Sequence, residues 1–196
     1  GLNILLTPYD KLYTEDKMLP TGDLREKVKG ASRAQVIIVT KCPEELSVET
    51  QFEITKKLGV EIKQTVFFTK ISYNDKVISK NNSILLTELK HYQILLVTGI
   101  AKTKPLTDFL KQQDITFDHL AFKDHHVFSD KDLKEMDHRY EKFDAPKKII
   151  LTTEKDYVRA FSNNDQVYYL PIKTAFLKHG DDFDTLIEKY IAKHKA

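Results

Sequence analysis

Tyr92-Gln93-Ile94-Leu95-Leu96-Val97-Thr98 and Lys148-Ile149-Ile150-Leu151-Thr152 decide the fold. Each is a short, unbroken apolar run rich in β-branched residues, without apolar–polar alternation. Such runs belong to strands buried on both faces, as in parallel sheets. Similar runs occur at 2–7, 35–40, 65–69, 117–122 and 166–170. Helical patterns are predicted between and after them at 23–31, 47–58, 105–113, 129–143, 154–161 and 183–193. Strands that alternate with helices in this way predict an α/β fold, a mostly parallel, Rossmann-like sheet with flanking helices.

The rhythm breaks at 71–86. Tyr73-Asn74-Asp75-Lys76-Val77-Ile78 reads as one arm of an antiparallel ribbon, and Lys80-Asn81-Asn82-Ser83 as its turn. A short two-stranded linker there divides the expected organisation into residues 1–70, the linker 71–86, and a smaller α/β domain over 87–196. Gly1 stands where an initiator Met would, and Leu2-Asn3-Ile4-Leu5-Leu6 already reads as a buried strand. The expectation is therefore the C-terminal part of a longer protein.

Composition narrows the function. Hydrophobic residues make up 41% and charged residues 31% of the 196, ordinary values for a globular protein. The 31 basic and 29 acidic side chains nearly cancel, so no global field argues for a nucleic-acid partner. Only Arg25, Arg33, Arg139 and Arg159 carry a guanidinium, the group that grips phosphates bidentately. Cys42 is alone, which rules out a disulfide framework within the chain and a multi-thiolate zinc site. The glycines fall at 1, 22, 30, 59, 99 and 180, so neither G-x-x-x-x-G-K-[ST] nor G-x-G-x-x-G occurs.

Four segments hold the candidate chemistry. Phe122-Lys123-Asp124-His125-His126-Val127-Phe128-Ser129 places an acid and two imidazoles between a strand and a helix-start signal at Ser129. That edge of an α/β sheet is where ligands bind, and an imidazole beside a carboxylate suits general-base work. Three metal donors there would need a sharp turn, since neighbouring strand side chains point to opposite faces. Leu151-Thr152-Thr153-Glu154-Lys155-Asp156 reads as a strand end capped by Thr153 and Asp156, with Lys155 available to an anion. Leu19-Pro20-Thr21-Gly22-Asp23-Leu24-Arg25-Glu26 reads as a turn followed by a helix capped by Asp23. Arg25 then stands against the helix-dipole preference, a placement that suits a ligand contact. Gly99-Ile100-Ala101-Lys102 is a further strand-end loop, too short to cradle a phosphate by itself.

In order, Leu19-Pro20-x-Gly22-x-Leu24-Arg25-Glu26, Gly99-Ile100-Ala101, Phe122-x-Asp124-His125-His126 and Thr153-Glu154-Lys155-Asp156 resemble successive motifs of the tetraacyldisaccharide 4′-kinases, the lipid A kinases of Gram-negative bacteria. The resemblance implies transfer of the ATP γ-phosphoryl group to the 4′-hydroxyl of tetraacyldisaccharide 1-phosphate, forming lipid IVA. It implies ATP and Mg2+ held mainly by a P-loop region preceding this chain, with no metal bound by the residues present. Residues 1–70 would be the end of the P-loop domain. An Asp–His pair of the family assists deprotonation of the sugar hydroxyl. The matching imidazole is His125 or its neighbour His126, with Asp124 adjacent, while Arg25, Glu26 and Lys155 would contact substrate. Lys123 stands where the family commonly has Pro, which bears on the turn that presents the imidazole. A lipid disaccharide partner, a membrane surface, a monomeric state and a peripheral place on the cytoplasmic face of the inner membrane are further implications.

Two other readings remain at this level: a metal-dependent phosphoesterase built on Asp-His-His, and a non-catalytic binding module. The 196-residue chain alone, lacking a phosphate loop, is expected to show no turnover of the disaccharide with ATP and Mg2+. Product formation by the purified chain in a radiolabelled-phosphate assay would overturn that expectation.

Overall fold

The computed structural model describes residues 1–194. In chain order its main elements are β1 (Ile4–Pro8), β2 (Val36–Thr40), α1 (Val48–Leu58), β3 (Thr65–Tyr73), β4 (Lys76–Ile78), β5 (Ser83–Leu85) and β6 (Gln93–Thr98). There follow α2 (Lys104–Gln112), β7 (Asp118–Ala121), α3 (Asp130–Glu141), β8 (Lys148–Thr153), α4 (Glu154–Asp156), β9 (Val167–Leu170), β10 (Ile172–Phe176) and α5 (Gly180–His194). Helix α4 continues directly into a π-helical turn, Tyr157–Phe161.

The chain forms two compact units, Gly1–Ser72 with the segment from Lys173 onward, and Tyr73–Ile172. The first contains a four-stranded sheet in the order β1-β2-β3-β10. Strands β1, β2 and β3 run parallel, with Leu6 opposite Ile38 and Ile38 opposite Phe67. Ile37, Val39 and Phe68 face Ile54 and Leu58 of α1, while Val36, Ile38 and Phe67 meet Phe176, Phe183 and Leu186. Ser47 caps α1 by accepting the Thr50 N–H, and Gly59, at φ 62°, ends it in the left-handed conformation that glycine adopts without a Cβ clash. Burial beneath α1 pushes the Cys42 thiol up to about 11.

The second unit is a six-stranded sheet ordered β5-β4-β9-β8-β6-β7. Strands β6 to β9 are parallel; β4 runs antiparallel to β9 and to β5. The unbroken apolar runs predicted to be buried on both faces are so buried. Ile94, Leu96, Ile149 and Leu151 pack with Leu106 and Leu110 of α2 on one face. Leu95, Val97 and Ile150 pack with Met136 and Tyr140 of α3, and with Tyr157 and Phe161, on the other. The fold is thus α/β with helices on both sides of a mostly parallel sheet.

Three expectations change. The helix over 23–31 does not form: that stretch is bends and a single-bridge turn, followed by a 3-10 helix, Val28–Arg33, with no buried residue. A short helix without a buried stripe cannot offset its nucleation cost, and Gly30 weakens it further. The ribbon at 71–86 is present as β4–β5, but the Ile78–Tyr169 pairing makes it an edge of the second unit's sheet. The units therefore divide after Ser72 and after Ile172, not at 70 and 87, because aromatic and aliphatic side chains of β10 and α5 find their cover on β2 and β3.

Leu96 is fully buried, so Leu96→Ala leaves a cavity. It should lower unfolding stability by about 2–5 kcal/mol in urea denaturation.

Candidate functional site

Spatial order β9-β8-β6-β7 against chain order 6-7-8-9 means that the connections after β6 and after β8 leave sideways in opposite directions. Between β6 and β8 lies the switch point of the sheet, and the crevice beyond its carboxyl edge is the preferred ligand position of such folds. Gly99 follows β6, Asp124-His125-His126 follow β7, and Thr153–Asp156 follow β8, so three of the four sequence-predicted segments meet at that edge.

The loops are tied to one another. Thr153 caps α4 through its side chain, accepting the Asp156 N–H at 3.2 Å and donating to Asp156 Oδ2 at 2.9 Å. The same Oδ2 accepts the Gly99 N–H at 2.8 Å. A Cβ on Gly99 would lie 3.1 Å from Asp156 Oδ1 and 3.4 Å from Phe128 Cζ, so this close approach favours glycine. Because the Asp156 carboxylate already occupies the Gly99 N–H, that donor is not open to an anionic phosphate.

The two imidazoles diverge. Lys123 to His126 form a tight turn closed by the His126 N–H to the Lys123 carbonyl at 3.1 Å. Lys123 joins it through its carbonyl, a role any residue fills. His125 takes φ 57°, and its N–H donates to Asp124 Oδ1 at 3.0 Å. Its side chain is 73% exposed, with Nε2 3.7 Å from Asp124 Oδ2. Lys155 Nζ lies 3.5 Å from the other oxygen of Asp124. Partial burial pushes the Asp124 carboxyl up, but the His125 and Lys155 charges together with the His125 N–H outweigh it and hold the group below its usual range.

His126 is built into the scaffold instead. Its ring stacks on Phe122, with centroids 4.6 Å apart, and meets the edge of Phe128. Its Nε2 donates to Asp132 Oδ2 at 3.0 Å, and its carbonyl accepts from Arg159 Nη2 at 3.0 Å. Asp132 completes a capping box with Ser129 at the start of α3. The Ser129 hydroxyl, the Ser129 N–H and His126 together hold the Asp132 carboxyl down at about 2. A groove of about 440 Å3 beside the turn is lined by His126, Val127, Phe128, Leu133, Arg159 and Ala160. Among the described residues no three His, Cys, Asp or Glu side chains converge as a metal site would require.

Arg25 and Glu26 belong to the first unit. Glu26 accepts both of its contacts from Arg33 Nη2, at 2.5 and 2.6 Å. Arg25 is exposed in a bend, and with no helix over 23–31 it opposes no helix dipole. Asp23 caps nothing; it pairs with Lys11 at 2.5 Å. Two residues of the second unit's site, Arg159 and Asp132, escaped the sequence reading as site members. The scarcity of arginine and the Ser129-x-x-Asp132 spacing are the signals that carry them.

The sequence profile described as tetraacyldisaccharide-1-P 4′-kinase, LpxK, matches residues 1–192. A tetraacyldisaccharide 4′-kinase of Flavobacterium johnsoniae is 45% identical over 99% of this chain and 56% of its own length. One from Bacteroides thetaiotaomicron is 36% identical over 99% of this chain and 56% of its own. The chain thus spans a little over half of these curated relatives. In fold, it matches the crystal structure of Aquifex aeolicus LpxK in complex with ATP, with a TM-score of 0.64 at 20% identity, over 96% of this chain and 52% of the other.

The depressed Asp132 carboxyl has a pH consequence. Its folded value lies below the ordinary unfolded value of about 3.9, so its stabilisation is present above that value and is lost as pH falls toward about 2. Urea midpoints between pH 5 and pH 2 should fall less steeply for Asp132→Asn than for the parent chain. Parallel curves would remove the capping box from acid sensitivity.

Proposed function

This chain belongs to the tetraacyldisaccharide-1-P 4′-kinase family, and on that premise we propose that it supplies the acceptor-activating wall of a lipid A 4′-kinase. The complete protein transfers the γ-phosphoryl group of ATP to the 4′-hydroxyl of tetraacyldisaccharide 1-phosphate. The observation that carries this reading is His125: an exposed imidazole at the carboxyl edge of the sheet, held in the left-handed region by its own turn and flanked by Asp124. Residues 1–72 and the segment from Lys173 onward are the end of the P-loop domain, and residues 73–172 are the second domain. ATP and its Mg2+ fall to the part of the family's length outside this chain.

Within that assignment, the local chemistry follows from distances. The neutral His125 ring can accept a hydroxyl proton at its unprotonated nitrogen, and Asp124 Oδ2, 3.7 Å from Nε2, acts on the ring by its charge and not by a hydrogen bond. The imidazolium so formed faces a carboxylate, which stabilises it. Lys155 balances that carboxylate and adds a cation near an anionic substrate. Proton acceptance of this kind is worth about 10²–10⁴-fold in rate. His126 stacks and hydrogen-bonds inward, so it supports the turn and does not meet substrate. Arg25 and Glu26 are assigned to the sugar or its phosphate on the strength of the family motif.

Among the described residues no helix is long and apolar enough to cross a membrane. An acylated substrate requires the enzyme to work at a lipid surface, and a peripheral position on the cytoplasmic face of the inner membrane, as a monomer, fits the proposed reaction.

The decisive variant is His125→Asn in the complete protein, because Asn enters the left-handed region more readily than other non-glycine residues. It should lower kcat by about 10²-fold or more with its melting temperature unchanged. Near-normal kcat would remove the imidazole of His125 from the reaction.

A further inference from the structure

Asp156 is fully buried, yet only one of its carboxylate oxygens is hydrogen-bonded. Oδ2 accepts from Gly99 and Thr153, while Oδ1 is buried without a hydrogen-bond partner. An oxygen in that position demands compensation, and the cation that faces it is Arg159, whose Nη1 lies 3.8 Å away. Arg159 faces a second target as well. Its Nη2 donates to the His126 carbonyl at 3.0 Å, and the His126 N–H closes the turn on Lys123. One guanidinium therefore runs from a buried carboxylate at the end of β8 to the backbone of the turn that follows β7.

That turn needs holding. His125 is a non-glycine residue at φ 57°, a conformation that persists only where the surroundings over-determine it. Its neighbours supply three restraints: the Asp124 side chain on the His125 N–H, the Asp132 carboxylate on the His126 ring, and Arg159 on the His126 carbonyl. The exposed Lys155–Asp124 contact also reaches the segment after β8, but only the third restraint continues, through buried Asp156, to the loop after β6. Arginine suits the task because its planar fork reaches two partners in different directions, which a lysine ammonium on a flexible stem does less well.

We propose that Asp156 and Arg159 form a positioning pair that locks the Lys123–His126 turn to the switch point of the sheet and thereby aims the His125 imidazole. Asp156 anchors the guanidinium, and the guanidinium fixes the turn. Neither residue touches substrate; both act through His125, so the inference rests on the proposed kinase reading.

The test uses the complete protein. Arg159→Gln should lower kcat for the disaccharide by about 10- to 100-fold while KM changes less than about threefold, since a misaimed base slows the chemical step more than binding. Arg159→Lys should recover part of that loss. Hydrogen exchange followed by mass spectrometry should show peptides covering 122–128 exchanging at least about tenfold faster in Arg159→Gln, with β6 and β8 unchanged. Asp156→Asn retains an acceptor for Gly99 and Thr153 but loses the charge that anchors Arg159. It should reproduce both effects more mildly, and serves as the second variant should Arg159→Gln unfold. Unchanged kcat or unchanged exchange at 122–128 would overturn the positioning pair. A uniform loss of protection in β6 and β8 would also overturn it, by making the pair a general fold support. If the unaltered protein itself fails to phosphorylate the disaccharide, the kinase reading falls instead, and faster exchange at 122–128 alone would still establish the lock.

Discussion

The parallel pairing of β6 with β8, which leaves β7 outside, is the constraint on which the second unit depends. Leu95 lies opposite Ile150 and Leu96 opposite Leu151, so two unbroken apolar strands form the centre of the sheet. Right-handed crossovers leaving β6 toward β7 and then returning past it to β8 must lie on opposite faces. Helix α2 accordingly covers one side and α3 the other, and both sides of β6 and β8 leave water. The same arrangement opens a crevice at their carboxyl ends, where two loops turn apart. Stability and the place of the site thus share one cause.

At that crevice a single buried carboxylate reconciles two demands. The sheet's exits must be joined, and the joint must be polar because backbone N–H groups end there. Asp156 satisfies the Gly99 N–H and the Thr153 hydroxyl, and glycine at 99 lets it come near without displacement. The neighbouring imidazoles divide their work by environment. His126 sits between Phe122, Phe128 and Asp132, whereas His125 projects into solvent beside Asp124. Two identical side chains one residue apart acquire different roles because a left-handed residue redirects the chain between them.

Much of the fold was legible. Ile94–Val97 and Ile149–Leu151 read as doubly buried strands because a period of one apolar residue per position leaves no face for water. Ser129 read as a helix start because its hydroxyl can accept a free backbone N–H of the first turn, and the structure adds Asp132 as the reciprocal half of a capping box. The stretch 23–31 misled: Leu24, Val28 and Ala31 carry helical spacing, but no partner surface buries them enough to outweigh Gly30 and the entropy of a first turn. Strand β10 was invisible beside β9, since Pro171 separates them and β10 has no buried residue. Nor could spacing show that α5 packs on β2 and β3, more than a hundred residues earlier in the chain.

By itself, the sequence determined which residues are apolar in unbroken runs, where helices begin, the absence of a glycine-rich phosphate loop, and the motif Asp124-His125-His126. These are local properties, set by spacing along the chain and by the side chains themselves. Tertiary structure decided which strand lies beside which, and therefore that Gly99, His126, Asp156 and Arg159 become neighbours. It also decided which imidazole is held, because Asp132, six residues on, bonds the His126 ring and Arg159, 33 residues on, bonds the His126 backbone carbonyl once the sheet has formed.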